Sequence, residues 1–207
     1  MRPLPTQDEA LHELDAEMPA LRSIVDKAFA AWQEREQMSA QSHLPTGSSM
    51  SIKATDVYGM MVHFAKEHYD GSEGRPEAKK YNGIFGVMLA GRYFVRFKKF
   101  NTALDVANHS SRQDEKYRRQ IPFGELADAQ VYLYVGYRHD KPFTQVEGVH
   151  LVCRMSDVVE WQINLTTMVK EESLTIPFPV AAPAVARPRV RVRKTGTDGD
   201  QATGTHG

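Results

Sequence analysis

Along residues 7–37, apolar or small side chains recur at Leu11, Leu14, Met18, Leu21, Val25, Ala28 and Trp32. The steps alternate between three and four, which is the heptad pattern of a helix seam. Ile24 and Phe29 widen the stripe, and Pro19 interrupts it. Proline costs about 3 kcal/mol inside a helix but fits the first turn. The segment is therefore expected to kink, or to divide into two helices with the second starting near Pro19. Such a stripe has two uses. It packs a helical arm onto its own domain, or it presents Leu11, Leu14, Leu21, Val25 and Trp32 to a partner protein or to a second copy in a homodimer.

Residues 38–53 lose the period. The run MSAQSHLPTGSSMSI clusters Ser, Gly, Pro and Thr, and reads as a flexible linker. The stretch TDVYGMMVHFAKEHYDG then predicts a helix, with Thr55 as N-cap, Gly71 as stop, and Val57, Met60, Met61 and Phe64 on its apolar side. Residues 71–82 read as a loop.

From residue 84 the period changes to two. IFGVMLA and RYFVRFKKF flank Gly91 and predict a hairpin or one long bent strand. In GRYFVRFKKF, Tyr93, Val95 and Phe97 share one face, and Arg92, Phe94, Arg96 and Lys98 the other. Asn101 or Thr102 is placed to cap a short helix, followed by a charged helix or loop. VYLYVGYRHD, EGVHLVCRM and VVEWQINL predict three strands joined by turns at HDKPF and MSD, an antiparallel meander. Their core face takes Val131, Leu133, Val135, Tyr137, Val149, Leu151, Cys153, Met155, Val159, Trp161, Ile163 and Leu165. From Pro177 the prolines, alanines and arginines predict a disordered tail, in which Arg187, Arg189, Arg191, Arg193 and Lys194 form a basic arm.

The expected class is α+β, with N-terminal helices before a four- to five-stranded, mainly antiparallel sheet and a disordered C-terminal tail. The expected divisions are an arm over 1–37, a linker over 38–53, a core domain over 54–176 and a basic tail over 177–207.

Composition narrows the function classes. The 207 residues carry a formal net charge of zero, which argues against nucleic-acid binding by bulk charge and leaves a local basic face open. The single cysteine, Cys153, cannot form an internal disulfide, and its apolar setting predicts a buried, inert thiol. MRPLPTQDEALHELD has no apolar stretch of signal-peptide length, and IFGVMLAG is too short to span a bilayer. The expectation is a cytoplasmic protein without membrane contact.

Most candidate chemistry fails on spacing. His63 and His68 in HFAKEH are five apart, about 140° around a helix, so they do not share a face and no metal site is expected. The phosphate-loop patterns GxGxxG and GxxxxGK[ST] and the elbow GxSxG are absent, and no cofactor is implied. Asp105, Asp114, Glu115 and Glu125 read as a solvated charged stretch.

The second sheet face carries the stronger signal. It gathers Arg92, Arg96, Lys98, Tyr132, Tyr134, Arg138, His150 and Arg154. Arginine and lysine pair with phosphates, and flat aromatic rings stack on bases. The face is thus a candidate nucleic-acid or anion site. Three other readings stay open: a wet sheet face, a face covered by a helix with Phe94 and Tyr132 as second-layer core, and a docking face for protein. Arg96, Tyr134, Arg138 and His150 together also suit a metal-independent ribonuclease.

RFKKF, VGYRHD, EGVHLVCR and EWQINL together resemble an uncharacterised bacterial protein family, over about residues 80–165. Its members are often encoded beside a helix-turn-helix regulator or an ImmA/IrrE-type metallopeptidase. The resemblance implies a toxin–antitoxin or phage-defence role and a protein partner encoded nearby, and supplies no catalytic residues. The expected function is a non-enzymatic binding or regulatory protein. The alternatives are a ribonuclease-like toxin and a structural homo-oligomer.

Overall fold

The computed structural model describes residues 3–42, 49–106, 111–126 and 131–172. The described residues all fall within one compact unit. The expected basic tail lies outside the described residues.

Thr6 starts helix α1 (Gln7–Leu14) with a capping box. Its hydroxyl accepts from Glu9 N at 3.3 Å, and the Glu9 carboxylate accepts from Thr6 N at 2.7 Å. A 3₁₀ turn, Asp15–Glu17, separates α1 from α2 (Met18–Gln41), which carries Pro19 in its first turn. Helix α3 (Met50–His68) begins earlier than expected. Ser49 is its N-cap, accepting from Ile52 N at 3.3 Å, while Thr55 lies inside the helix and donates to Ser51 O at 2.9 Å. Both ends of the expected linker are therefore helical, because its polar composition hid a serviceable cap; residues 43–48 lie outside the described set.

Six strands follow: β1 (Ala78–Tyr81), β2 (Ile84–Leu89), β3 (Tyr93–Lys99), β4 (Val131–His139), β5 (Val146–Met155) and β6 (Val158–Asn164). They lie side by side in chain order. All pairs are antiparallel except β3–β4, which is parallel. Ala90 and Gly91, with φ of 47° and 65°, make the β2–β3 turn. The extra strand is β1, placed within the expected loop. Its sequence AKKY buries only Ala78 and shows no apolar alternation.

The first sheet face meets α1, α2, α3 and α5 (Leu165–Glu172). Tyr93, Val95, Phe97, Leu133, Val135, Leu151, Cys153, Trp161 and Ile163 share one core with Leu14, Leu21, Val25 and Trp32. Trp161 Nε1 donates to Pro5 O at 2.8 Å, and Arg22 Nη1 donates to Leu165 O and Thr166 O at 3.1 and 2.7 Å. The helical stripe is thus spent on its own sheet. As an exposed partner seam it is corrected: Leu14, Leu21 and Val25 are fully buried, Trp32 nearly so, and Leu11 packs against the same core.

Val159 also departs from expectation. Cys153 pairs with Trp161 but Arg154 pairs with Val159, so Glu160 is an extra residue that turns Val159 to the second face. Leu151 lies at the centre of the first-face core. Leu151→Ala is expected to lower stability by about 2–5 kcal/mol, read from the urea midpoint. An unchanged midpoint would contradict the placement of β5.

Candidate functional site

The described residues between β3 and β4 pack on the second face and cover much of it. After β3, Phe100 bridges to Val106, and Asn101 Oδ1 accepts from Ala103 N and Asp105 N at 2.9 and 2.8 Å. This is a tight hairpin rather than the expected Asn101- or Thr102-capped helix, because the Asn101 side chain satisfies its own turn. Helix α4 (Arg112–Arg118) follows, capped by Ser111, whose Oγ accepts from Asp114 N at 3.1 Å.

Helix α4 presses Tyr117 into the sheet. The Tyr117 hydroxyl faces Phe94 O at 3.1 Å and Leu133 O at 2.5 Å, donating across the parallel β3–β4 seam. Its ring stacks on Tyr132 at 4.8 Å and meets Tyr134 at 5.0 Å. Burial holds its hydroxyl far above the ordinary tyrosine range. Phe94, Phe100, Leu104, Val106, Phe123, Leu126, Tyr132, Tyr134 and Val152 complete a second core. Tyr132 and Tyr134 are therefore packing residues, each 1% exposed, and present no ring to a base.

Two of the expected anion-binding arginines are consumed in the same way. Arg96 Nη1 pairs with Asp114 Oδ1 at 3.0 Å, and its guanidinium lies 4.7 Å from the Tyr117 ring and 5.8 Å from that of Tyr134. Arg154, 4% exposed, donates to Leu104 O at 2.9 Å and Asp157 O at 3.0 Å, and pairs with Asp105 at 3.3 Å. Arg92 stands just before β3 and turns to α1, pairing with Glu13 at 2.9 Å. Asp105 and Asp114, read from sequence as solvated, are the counter-charges that let buried arginines sit here. The ribonuclease set is likewise divided, since Arg96 and Tyr134 belong to the second core.

Lys98, Arg138 and His150 remain. Strand register sets Lys98, Gly136, His150 and Asn164 in one row across β3, β4, β5 and β6. Arg138 pairs with Gly148 in the next row along β4 and β5. Gly136 leaves bare backbone between Lys98 and His150. A Cβ on Gly148 would meet His150 Nε2 at 2.8 Å, so the imidazole lies over that residue. His150 is 7% exposed, and its Nδ1 has no hydrogen-bond partner among the described residues. Burial, and secondly the Arg138 charge, lower its pKa, so the ring is neutral at pH 7. Arg138 Nη2 lies 3.3 Å from Glu147.

Lys98 is half-buried. Burial and then the Arg96 charge push its pKa down to about 8, with Asp114 opposing. Among the described residues no carboxylate lies within ion-pair distance of Lys98, in contrast to Arg92, Arg96, Arg138 and Arg154. The row thus offers an ammonium and a neutral imidazole on either side of a bare glycine, with a guanidinium beside them. Such a set can accept an oxyanion, each group donating to a separate oxygen.

Other chemistry is sparser. His63 packs on Phe64 and His68 on Tyr69, and among the described residues no three His, Cys, Asp or Glu side chains form a metal-binding group. The Cys153 thiol is buried and pushed up to about 12, chiefly by burial. A cleft of about 720 Å³ opens between α2 and α3, where Glu17 accepts from the Tyr69 hydroxyl at 2.9 Å beside Lys27, Glu67, His68 and Arg75. Sequence reasoning missed it because its lining comes from three separated segments. Its charges are mixed in sign and form no nucleophile–base pair among the described residues. No described helix is long and apolar enough to cross a membrane.

Compared with protein-family models, curated proteins and solved structures, the chain finds no significant match in any of the three.

Proposed function

We propose that the protein is a non-enzymatic nucleic-acid-binding protein that contacts phosphate rather than bases, through Lys98, Arg138 and His150. The observation that carries this reading is Lys98: a half-buried ammonium with no ion-pair partner among the described residues, in a row where the buried His150 Nδ1 has no hydrogen-bond partner among them. Asp114 acts on Lys98 only from beyond ion-pair distance; holding a cation partly out of water without a direct counter-ion costs stability, and a ligand oxyanion offsets that cost. A regulatory role in a toxin–antitoxin or defence operon accords with phosphate contact of this kind.

The test is binding of labelled single-stranded RNA and duplex DNA across a salt series, beside the double variant Lys98→Glu/Arg138→Glu. The expected result is binding that weakens with salt, and a variant at least about tenfold weaker with a shallower salt slope. Binding untouched by the double variant overturns the reading. RNA cleavage abolished by His150→Ala would replace it with the nuclease alternative.

The pH dependence has a definite sign. Lys98 is charged below about pH 8 and neutral above it. Affinity is therefore expected to fall as pH rises through 8, rather than near 10 as for an ordinary lysine. Lys98→Arg should keep its affinity at pH 9.5, because arginine stays charged. Equal pH profiles for the two proteins would remove Lys98 from the contact.

A further inference from the structure

We infer that this row takes a terminal phosphate monoester, the dianionic end of a strand, in preference to the internal phosphodiesters. The inference rests on the reading above and narrows its ligand.

Three features of the second face argue for it. The first is the lack of a stacking platform. Phe94, Tyr132 and Tyr134 are 0–1% exposed beneath α4 and the Phe100–Val106 hairpin. These three rings therefore supply no base stacking, the usual source of affinity for an extended single strand. Affinity must come from charge at one place, where a dianion gains more than a monoanion.

The second is the limit on the cationic strip. In one direction it meets Asp114, held against Arg96, and in the other Glu147, held against Arg138. A diester backbone running along the strands would carry successive phosphates toward these carboxylates. A single end group at Gly136 meets neither.

The third is the match of donors to oxygens. Lys98 and His150 flank Gly136, so their backbones stand two strand spacings, about 10 Å, apart. The His150 ring leans over Gly148, the residue that faces Arg138, so imidazole and guanidinium lie on one side of Gly136 and Lys98 on the other; the bare backbone between them leaves room for a group the size of one phosphate. Lys98, the His150 imidazole and Arg138 can supply three donors. A monoester has three non-bridging oxygens to receive them and an internal diester only two.

The experiment uses the full chain and one short single-stranded RNA, labelled at its 3′ end and carrying either a 5′-phosphate or a 5′-hydroxyl, with adenosine monophosphate as competitor. The phosphorylated strand is expected to bind about tenfold tighter or more, and Lys98→Gln, which keeps a long polar chain, should erase that difference. A second variant, Arg138→Gln, should reduce it, and the circular dichroism of both should match the parent. Equal affinity for the two strands, still sensitive to Lys98, overturns the end-group inference and leaves nucleic-acid binding standing. No binding of either strand overturns both. Competition by the mononucleotide as strong as that by the phosphorylated strand supports a monoester site and overturns the strand as its source.

Discussion

Asp114→Ala is expected to lower stability by about 3–5 kcal/mol, although the residue sits in one of the most charged stretches of the chain. Its side chain is 9% exposed and that of its partner Arg96 is 12% exposed, with a contact of 3.0 Å. The Arg96 guanidinium packs against Tyr117 and Tyr134. Most of the guanidinium is enclosed, so removing the carboxylate leaves a largely buried cation without its partner. The cost therefore comes from the cation left behind more than from the lost bond. The double variant Arg96→Met/Asp114→Leu removes both charges and keeps the volume. It should recover most of the loss, since an apolar pair in such a site is often neutral or better. Asp157→Ala is the matched control. It also removes an arginine's partner, here Arg118, but Asp157 is 88% exposed, and the cost should stay below about 1 kcal/mol. Urea midpoints of the four proteins decide the matter. Equal losses for Asp114→Ala and Asp157→Ala would contradict a buried second layer.

The same pair shows what was legible in the sequence. The first sheet face could be read because Tyr93, Val95, Phe97, Leu133, Val135, Leu151 and Ile163 have one way to be satisfied, which is burial. The second face could not, because tyrosine and arginine suit a wet surface, a nucleic-acid platform or a second core equally well. What decides is the covering segment, and RQDEKYRRQ reads as solvated. Only Tyr117, reaching Phe94 O and Leu133 O from a distant part of the chain, marks it as a lid. The α2 stripe had the same ambiguity. Leu14, Leu21, Val25 and Trp32 would look alike on a dimer seam or on a sheet, and only the sheet's position distinguishes the two. Strand β1 was hidden for the opposite reason, since AKKY has almost nothing to bury. The parallel β3–β4 pairing was hidden because nothing local encodes a crossover. The three residues of the candidate site were each legible as basic face. Their separation from Arg92, Arg96 and Arg154 was not, because it depends on Glu13, Asp114, Asp105 and backbone carbonyls brought in from elsewhere.

Gly136→Ala should be the most damaging single methyl group in this protein. A Cβ there would lie 1.6 Å from Lys98 O and 2.7 Å from its carbonyl carbon. Ordinary overpacking costs about 1–3 kcal/mol because a side chain can swing aside. Here the obstacle is the backbone of β3, which is hydrogen-bonded to β4 in the parallel ladder and cannot move without opening it. The expected loss exceeds about 4 kcal/mol, or the variant fails to fold. Gly59→Ala in α3 provides the opposite sign. A Cβ at Gly59 meets nothing within 4 Å, and alanine should raise stability by up to about 1 kcal/mol through helix propensity. Both substitutions add one methyl to a glycine, so composition cannot explain a difference between them. Similar midpoints would mean that the Lys98–Gly136 register is wrong, and the row that sets Lys98 opposite His150 would fall with it. A wide gap between them would establish that the bare strip is demanded by the close approach of β3 and β4. The notch would then be a consequence of how the two strands meet, with the cations of the neighbouring positions placed around a gap the fold cannot fill.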